Sequence, residues 1–363
     1  MTPTAKNPTS NTPTGTIRIA IDGMGGDYAP AAVIAGTALA VKGNPAITPI
    51  LVGDREKLLP HLARHKDLAT AEIIHTSDVV AGDEKPSAAL RSGKNSSMRL
   101  AIDLVKHGQA DAVVSSGNSG ALMVMALMVL RPIHGIDRPA LAAYFPSIAG
   151  RVYMLDLGAN VECSATNLVQ FAAMGDAFCR VISGTRKPSI GLLNIGEEQQ
   201  KGNQTIQTAS SILSAPAIGL NYKGFIEGND IASGAVDVVV SDGFSGNIAL
   251  KTIEGTSRLI GSMIRRAFTA SLFARLGYLF ASNSFRQLRA MMDPQIYNGA
   301  VLLGLNGIVV KSHGGANRVG FANAIKVAAD MHSRGFMEDM QAVIARSIKA
   351  VKNAKQTSTE TKK

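Results

Sequence analysis

The sequence predicts an α/β fold, with helices on both faces of a mostly parallel sheet, in three αβα layers. Two observations favour this class. Short apolar or β-branched runs alternate with longer helical patterns through most of the chain. Several of the apolar runs lead directly into turns of glycine and small polar residues. Ligands of such sheets bind at the carboxyl ends of the strands, so we expect a site there.

The predicted elements follow one another in regular order. Strands are expected at Thr16–Asp22, Ile47–Val52, Ala112–Val114, Pro139–Phe145, Val152–Leu157, Ile190–Asn194 and after Asp237, with short extended pieces at Ile73–Ile74 and Val79–Val80. Helical patterns occupy Ala31–Val41, Ser87–Leu104 (as one helix or a pair), Ala121–Leu130, Val169–Ile182 and Thr205–Leu213. Residues 1–15 and 352–363 are polar and lack periodicity, which predicts disordered tails around a single α/β domain at 16–351.

Composition narrows the possible functions. The hydrophobic share of 46% supplies a substantial core, and the two cysteines, Cys163 and Cys179, exclude a disulfide framework and a CxxC metal site. The longest apolar run, Ala121–Leu130, has half of the ~20 residues that a membrane span needs. We expect a cytosolic or surface-attached protein. A net charge of +10 favours acidic or phosphate-bearing partners. Nucleic acid is not expected, because aromatics are few and do not interleave with basic residues.

Two similar glycine turns are the strongest local signal. In Asp111–Leu122 a buried strand is followed by small polar residues and a helix start, and Asp237–Leu250 repeats the arrangement. Free backbone N–H groups and the positive helix end make such turns anion sites. If both strand ends lie side by side, they form one cleft. Ordinary strand-to-helix turns remain the alternative. The candidate phosphate or substrate ligands are Ser115, Gly117, Asn118, Ser119, Gly120, Asp242, Gly243, Ser245, Gly246 and Glu198.

Other strand ends are also polar. Residues 156–160, 194–203, 227–230 and 311–317 place amide, carboxylate, ammonium and imidazole groups after predicted strands. The first glycine loop, at Gly23, Gly25 and Gly26, does not have the GxGxxG spacing, so dinucleotide binding is weakly supported. No cluster with the spacing of a metal site is visible.

The segment Ser257–Met292 has a different character from the rest of the chain. It contains six arginines and no acidic residue, and on a helical wheel its apolar residues share one arc. This pattern is typical of an interfacial helix, and we expect a break near Ser271–Gly277 that makes it a hairpin. Membrane contact, core or dimer packing, and an acidic protein partner all remain open. The candidate contact residues are Ile260, Ile264, Arg265, Arg266 and Phe268.

A series of motifs goes beyond these general patterns. In chain order they are Ile21–Asp27, Arg91 with Ser96–Arg99, Val114–Leu122, Asp156–Asn160, Asn194–Glu198 with Lys201–Gly202, Ser241–Asn247, Lys251–Gly255, Tyr297–Ala300 and Lys311–Gly314. The series, from about Thr16 to Val351, resembles the PlsX family of bacterial phosphate acyltransferases.

The resemblance implies a reaction in which a long-chain acyl group passes from acyl carrier protein to inorganic phosphate, without a cofactor. It also implies a fold similar to phosphotransacetylases and isopropylmalate dehydrogenases, and a homodimer. Reversible contact of the basic hairpin with an anionic membrane surface is implied as well. The acyl phosphate would then pass to an integral-membrane glycerol-3-phosphate acyltransferase.

This chemistry requires a phosphate pocket, donors for the thioester oxyanion and stabilisation of the leaving thiolate. Asn160, Asn247 or Lys201 is a candidate donor to the oxyanion. His313 or Lys201 is a candidate acid for the thiolate, although a structural role for His313 is equally open. We interpret Asp242 and Glu198 as orienting groups. Cys163 is disfavoured as a nucleophile, because no histidine lies near it in the sequence.

Three other functions are considered. A nicotinamide-dependent decarboxylating dehydrogenase is disfavoured by the missing GxGxxG motif and the lack of an acidic metal cluster. A phosphotransacetylase acting on coenzyme A would have no use for the arginine-rich segment. A membrane-binding module without catalysis does not account for the polar strand ends.

Overall fold

The computed structural model describes residues 15–271, 273–274, 278, 280–283 and 295–346. Within these residues, eleven strands form one sheet in the order β3-β2-β1-β4-β11-β10-β5-β6-β9-β7-β8. They are β1 Ile17–Asp22, β2 Ile47–Gly53, β3 Glu72–His75, β4 Ala112–Ser115, β5 Ala140–Ser147, β6 Gly150–Leu155, β7 Ser189–Leu193, β8 Asn221–Ile226, β9 Val238–Val240, β10 Ala300–Leu303 and β11 Ile308–Lys311.

The helices are α1 Ala31–Gly43, α2 Arg55–Leu62, α3 Pro86–Ser92, α4 Ser97–Lys106, α5 Ser119–Leu130, α6 Ala165–Ser183, α7 Gln204–Leu213, α8 Gly228–Ser233, α9 Gly243–Thr269 and α10 Arg318–Ser333. Residues 336–346 are also helical. Short 3-10 helices occupy Lys66–Leu68, Gly93–Asn95 and Pro216–Ile218. The mostly parallel sheet with flanking helices confirms the predicted fold class.

The sheet has an apolar core on each face. Alternate residues of β1 divide between the two faces, since Ile19 and Ile21 belong to one buried cluster and Ala20 to another. Helices α4 and α5 cover the face of Ala20, and α1 and α10 cover the face of Ile19. The central strands are therefore apolar on both sides, which is typical of a sheet buried between helices.

The strand direction reverses near the middle of the sheet. In the described chain seven strand pairings are parallel and three are antiparallel. The antiparallel pairs β11–β10, β10–β5 and β5–β6 lie together in the centre. As a result, β1, β4 and β11 end at one edge of the sheet, and β6, β9 and β7 end at the opposite edge.

Most predicted elements have matching counterparts, with boundaries that differ by one to a few residues. The pattern at Ser87–Leu104 forms the two helices α3 and α4. Val79–Val80 is not a strand. The second glycine turn and the first part of the basic segment form the single helix α9. Residues 1–14 and 347–363, and most of the expected second arm of the hairpin, lie outside the described residues. The domain boundaries therefore stay a prediction.

Candidate functional site

The carboxyl ends of β1, β4 and β11 bring together Asp22, Ser115, Ser119, Lys311 and His313, which we call the first cluster. Lys311 is in register with Ser115, and the β1–β4 register, continued by one residue, aligns Asp22 with Ser115. Side chains alternate between the two faces along a strand. Asp22, Ser115 and Lys311 therefore lie on the face that α4 and α5 cover.

Asp22 organises the base of this cluster. Its carboxylate accepts hydrogen bonds from Ser97 Oγ and Ser115 Oγ, both at 2.6 Å. Ser97 is the first residue of α4, so the carboxylate also lies at the start of a helix. Burial raises the pKa of Asp22, and the hydroxyl and amide donors oppose the shift. The two serines thus fix the carboxylate below the first glycine turn.

The first glycine turn leads into α5. Asn118 caps the helix by accepting from Ala121 N at 3.0 Å, and its Nδ2 donates to the carbonyl oxygens of Gly82 and Glu84 at 2.9 Å. The first amides of a helix have no intrahelical acceptor, so those of Ser119 and Gly120 remain available to an anion.

Close contact with the first glycine loop holds this turn in place. A Cβ on Gly25 would lie 2.5 Å from Asp22 Oδ2 and 2.7 Å from Gly117 N. Ser116 Oγ donates to Gly25 O at 2.7 Å, and Gly117 N donates to Ser115 Oγ at 3.0 Å. The glycine therefore serves close packing between two loops.

Two basic side chains lie at the carboxyl end of β11: Lys311 is its last residue, and His313 follows two residues later. Lys311 is 8% exposed and its Nζ donates to Ser312 O. Burial lowers the pKa of Lys311 to about 8, and the charges of Asp22 and Asp27 oppose this shift.

His313 lies at the rim of the cluster. Gly315 N donates to its Nδ1 at 3.0 Å, so the neutral ring carries its proton on Nε2. Burial lowers the pKa of His313, and the charges of Glu254 and Lys251 on α9 also act on it. Near pH 7 the His313 ring is therefore neutral, with Nε2–H as its free donor.

The carboxyl ends of β6, β9 and β7 carry Asp156, Asn160, Lys201, Asp242 and Asn247, which we call the second cluster. Asp156 accepts from the backbone amides of Leu141, Gly158, Ala159 and Asn160. Burial raises its pKa, and these donors act in the opposite direction. Asp156 thereby shapes the loop 156–160.

Asn160 is part of this same network. Its Nδ2 donates to Asp156 Oδ2 and to Pro139 O, both at 2.8 Å. Both amide protons are used, so the expected donor to a thioester oxygen is not free. We correct that expectation: Asn160 holds the loop together.

The backbone amides of the second glycine turn also donate hydrogen bonds within the protein. Gly243 N donates to Asn160 O at 2.7 Å, Ser245 N to Asp242 Oδ1 at 2.7 Å and Gly246 N to Asp242 O at 2.9 Å. Ser245 Oγ also donates to Asp242 Oδ2, at 3.2 Å. The Asp242 carboxylate occupies the helix start that an anion would need. We therefore correct the expectation that Gly243, Ser245 and Gly246 bind phosphate.

The two glycine turns are not neighbours. Four strands, β11, β10, β5 and β6, separate β4 from β9, and the two run in opposite directions. This overturns the expectation that both turns line one cleft. The structure gathers His313 with the first turn, and gathers Asn160, Asn247, Lys201 and Glu198 with the second.

The remaining residues of the second cluster are more accessible. Asn247 lies against the loop 156–160, since a Cβ on Gly158 would be 3.5 Å from Asn247 Cβ. Lys201 and Glu198 are exposed in the loop after β7, where Lys201 N donates to Glu198 O at 2.9 Å. Lys201 Nζ has no ion pair or hydrogen bond with any part of the chain that the structure describes.

Helix α9 extends beyond the sheet. Ile253 packs on the core near Ala300, whereas Leu259, Ile260 and Met263 are 58%, 43% and 61% exposed. Arg265 and Arg266 are also exposed, and Ile264 and Phe268 are partly buried. Among the described residues, no helix is both long and apolar enough to cross a bilayer, and no group of acidic, His or Cys side chains could hold a metal ion.

Sequence reasoning did not select Asp22 and Lys311. Both follow apolar residues at the end of a strand, and both lie in the motifs that carry the family resemblance. A charged residue that directly continues a buried strand was the available signal. The sequence does not show that β1, β4 and β11 are neighbours in the sheet.

The protein has an α/β fold, and its first cluster combines the start of α5 with the two basic side chains Lys311 and His313. The chain belongs to the family described as "Fatty acid synthesis protein", whose model matches residues 17–339. This confirms the resemblance drawn from the motifs.

Curated relatives give the enzyme class. The chain is 55% identical over 329 residues to a phosphate acyltransferase from Rhodospirillum centenum, covering 90% of this chain and 93% of the relative. It is 51% identical over 331 residues to one from Granulibacter bethesdensis, covering 91% and 90%. The chain is therefore an acyltransferase.

Solved structures support the fold. A phosphotransacetylase from Streptococcus pyogenes superposes with a TM-score of 0.58 at 19% identity, covering 87% of this chain and 94% of its own. A branched-chain phosphotransacylase from Enterococcus faecalis V583 gives 0.56 at 14% identity, covering 88% and 100%. At these identities the likeness concerns the fold alone.

Proposed function

We propose that this protein transfers a long-chain acyl group from the thioester of acyl carrier protein to inorganic phosphate. The products are acyl phosphate and free carrier protein. The observation that carries the proposal is the agreement over about nine-tenths of the chain with relatives named phosphate acyltransferase. The first cluster supports it with a helix start suited to phosphate.

Phosphate binds at the start of α5 in this proposal. The amides of Ser119 and Gly120, together with the Ser119 hydroxyl, donate to its oxygens. The other turn residues shape this site: Asn118 caps the helix, and Ser115 and Gly117 connect the turn to Asp22. Bound phosphate is already a nucleophile, so the enzyme needs to position it rather than activate it.

The acyl transfer proceeds in two steps. A phosphate oxygen attacks the thioester carbonyl carbon, a C–O bond forms, and negative charge moves onto the carbonyl oxygen. When this intermediate collapses, the C–S bond breaks and the electron pair leaves on sulfur as a thiolate. His313 Nε2–H donates to the oxyanion, because a neutral imidazole is a good hydrogen-bond donor and a poor acid.

The second cluster contacts the acyl donor rather than phosphate. Lys201 is an exposed cation without a partner among the described residues, Glu198 orients its loop, and Asn247 lies at the adjacent helix start. Exposed apolar residues surround them, including Ile195 at 79% and Phe244 at 60%. A cation within an apolar rim suits a negatively charged carrier that delivers an acyl chain.

The projecting part of α9 supports peripheral attachment. In this proposal Ile260, Ile264 and Phe268 contact an anionic membrane surface, and Arg265 and Arg266 bind its head groups or an acidic carrier. We infer a cytoplasmic homodimer that binds the membrane reversibly. It would pass acyl phosphate to a membrane glycerol-3-phosphate acyltransferase in phospholipid synthesis.

The test supplies purified protein with acyl carrier protein thioester and inorganic phosphate, and traps acyl phosphate with hydroxylamine. Product should require phosphate and form faster than with the matching acyl coenzyme A. Equal or better use of coenzyme A would favour the phosphotransacetylase alternative. No phosphate-dependent product from either donor would contradict the proposal.

Lys201→Ala tests the role of the second cluster in the same assay. It should raise KM for the acyl donor several-fold and leave KM for phosphate unchanged. The control is Lys187→Ala, since Lys187 precedes the other end of β7. Unchanged kinetics in the Lys201 variant would remove that residue from the site.

A further inference from the structure

Lys311 is a buried cation that the function proposed above does not use. It ends β11, in register with Ser115 on β4 and with Ala300 on β10. Its side chain shares a sheet face with Asp22 and Ser115, and this is the face on which α4 and α5 begin. The Lys311 side chain therefore leaves the sheet beside Asp22 and Ser115, on the face that carries α4 and α5.

The ammonium group has no anion in contact with it. Its Nζ donates to the carbonyl oxygen of Ser312, and within the described residues no carboxylate lies within 4.0 Å. Asp22, the nearest acidic residue on the same face, accepts from Ser97 and Ser115 instead. Burying an ammonium ion is unfavourable, and an anion in contact with it offsets part of that penalty.

Three titratable groups lie around Lys311. Asp22 ends β1, Asp27 follows in the first glycine loop, and His313, which is neutral near pH 7, lies two residues beyond the end of β11. The two carboxylates act at a distance and favour the charged ammonium, whereas burial disfavours it. The cluster therefore holds a cation in a position where a small anion would complete the pairing.

We propose that Lys311 is the cation that binds inorganic phosphate in this enzyme. The inference rests on the phosphate site proposed above and adds the charge that this site lacks. The α5 amides of Ser119 and Gly120 hold the phosphate from one side and the Lys311 ammonium holds it from the other. Phosphate displaces the carbonyl of Ser312 as the acceptor of an Nζ proton.

Phosphate binding is then coupled to protonation of Lys311. Burial lowers the pKa of the free ammonium to about 8. A bound dianion favours the charged form, so the pKa rises in the complex. Above pH 8 the free enzyme must take up a proton to bind phosphate, and the Kd for phosphate rises by about tenfold per pH unit. Below pH 7 the lysine is already charged and no uptake occurs at this residue.

Isothermal titration calorimetry with inorganic phosphate measures this coupling directly. At pH 8.5 phosphate is itself the dianion, so a buffer-dependent heat reports proton uptake by the protein. Titrations in two buffers with different ionisation enthalpies should show uptake of roughly half a proton or more per phosphate. The uptake should be absent at pH 6.5 once the titration of phosphate itself is subtracted.

Two variants test whether Lys311 is the group that takes up the proton. Lys311→Met keeps a similar shape without charge and should weaken phosphate binding by about 10- to 100-fold. Lys311→Arg keeps the charge and cannot deprotonate, so it should bind phosphate without proton uptake at pH 8.5. In steady-state assays the Met variant should raise KM for phosphate more than it lowers kcat.

Wild-type binding without proton uptake, or a folded Met variant that binds as tightly as wild type, would overturn the role of Lys311. If the Met variant does not fold, the wild-type and Arg titrations decide. Absence of phosphate binding in the wild type would also overturn it. Phosphate-dependent acyl transfer is measured separately, so the proposed function can stand when the lysine assignment fails.

Discussion

Replacement of His313 tests how the site stabilises the transition state. Gly315 N donates to Nδ1, so Nε2–H is the donor that the neutral ring can offer to the oxyanion. Removing one oxyanion donor from an enclosed site costs about 10²- to 10³-fold in kcat. His313 is exposed, so water replaces part of the lost hydrogen bond. We therefore expect His313→Ala to lower kcat by about 30-fold, or ~2 kcal/mol of transition-state stabilisation.

The assay is steady-state acyl phosphate formation with each substrate varied in turn. KM for phosphate should change little, since the α5 amides remain in place. His313→Gln is the matched control, because its amide N–H can reach the position of Nε2 and should restore part of the lost rate. A wild-type kcat in the Ala variant would exclude His313 as a donor to the oxyanion. So would a Gln variant as slow as Ala with both proteins folded.

Three further changes test the packing around the site, the charge of Asp22 and the membrane contact of α9. Gly25→Ala should lower Tm and raise KM for phosphate, because its Cβ would meet Gly117 N at 2.7 Å. Gly255→Ala is the control: its Cβ would meet nothing within 4 Å, so it should leave both quantities unchanged or raise Tm slightly. Asp22→Asn should raise Tm at pH 8, because burial raises the pKa of this carboxyl and the ionised form opposes folding. The same change should move the alkaline loss of phosphate binding to lower pH, since Asp22 favours the charged form of Lys311; an unmoved pH profile would exclude the coupling. Ile264→Glu should reduce sedimentation with anionic vesicles while soluble activity persists, and unchanged sedimentation would count against membrane contact by α9.

The sequence was sufficient for the fold class and for most strands and helices. Strands such as Val238–Val240 are β-branched and fully buried, so their pattern has one interpretation. The Asp242 cap could also have been predicted, because an aspartate directly before a helix usually accepts from the amide three residues later. That rule would have shown the amides of the second turn to be engaged.

The division of the site residues into two clusters could not be predicted from the sequence. Strand order depends on long-range pairing, and similar turns after β4 and β9 carry no record of the four strands between them. The three antiparallel pairings in the centre place the two turns at opposite sheet edges. Lys311 was overlooked for a related reason, since its neighbours Asp22 and Ser115 come from distant parts of the chain.

A crystal structure of the protein grown in phosphate tests the location of the site most directly. We expect a phosphate ion between the first turn of α5 and Lys311, in contact with the Ser119 amide and the lysine Nζ. A phosphate at the start of α9 beside Ser245, with the first cluster unoccupied, would contradict it.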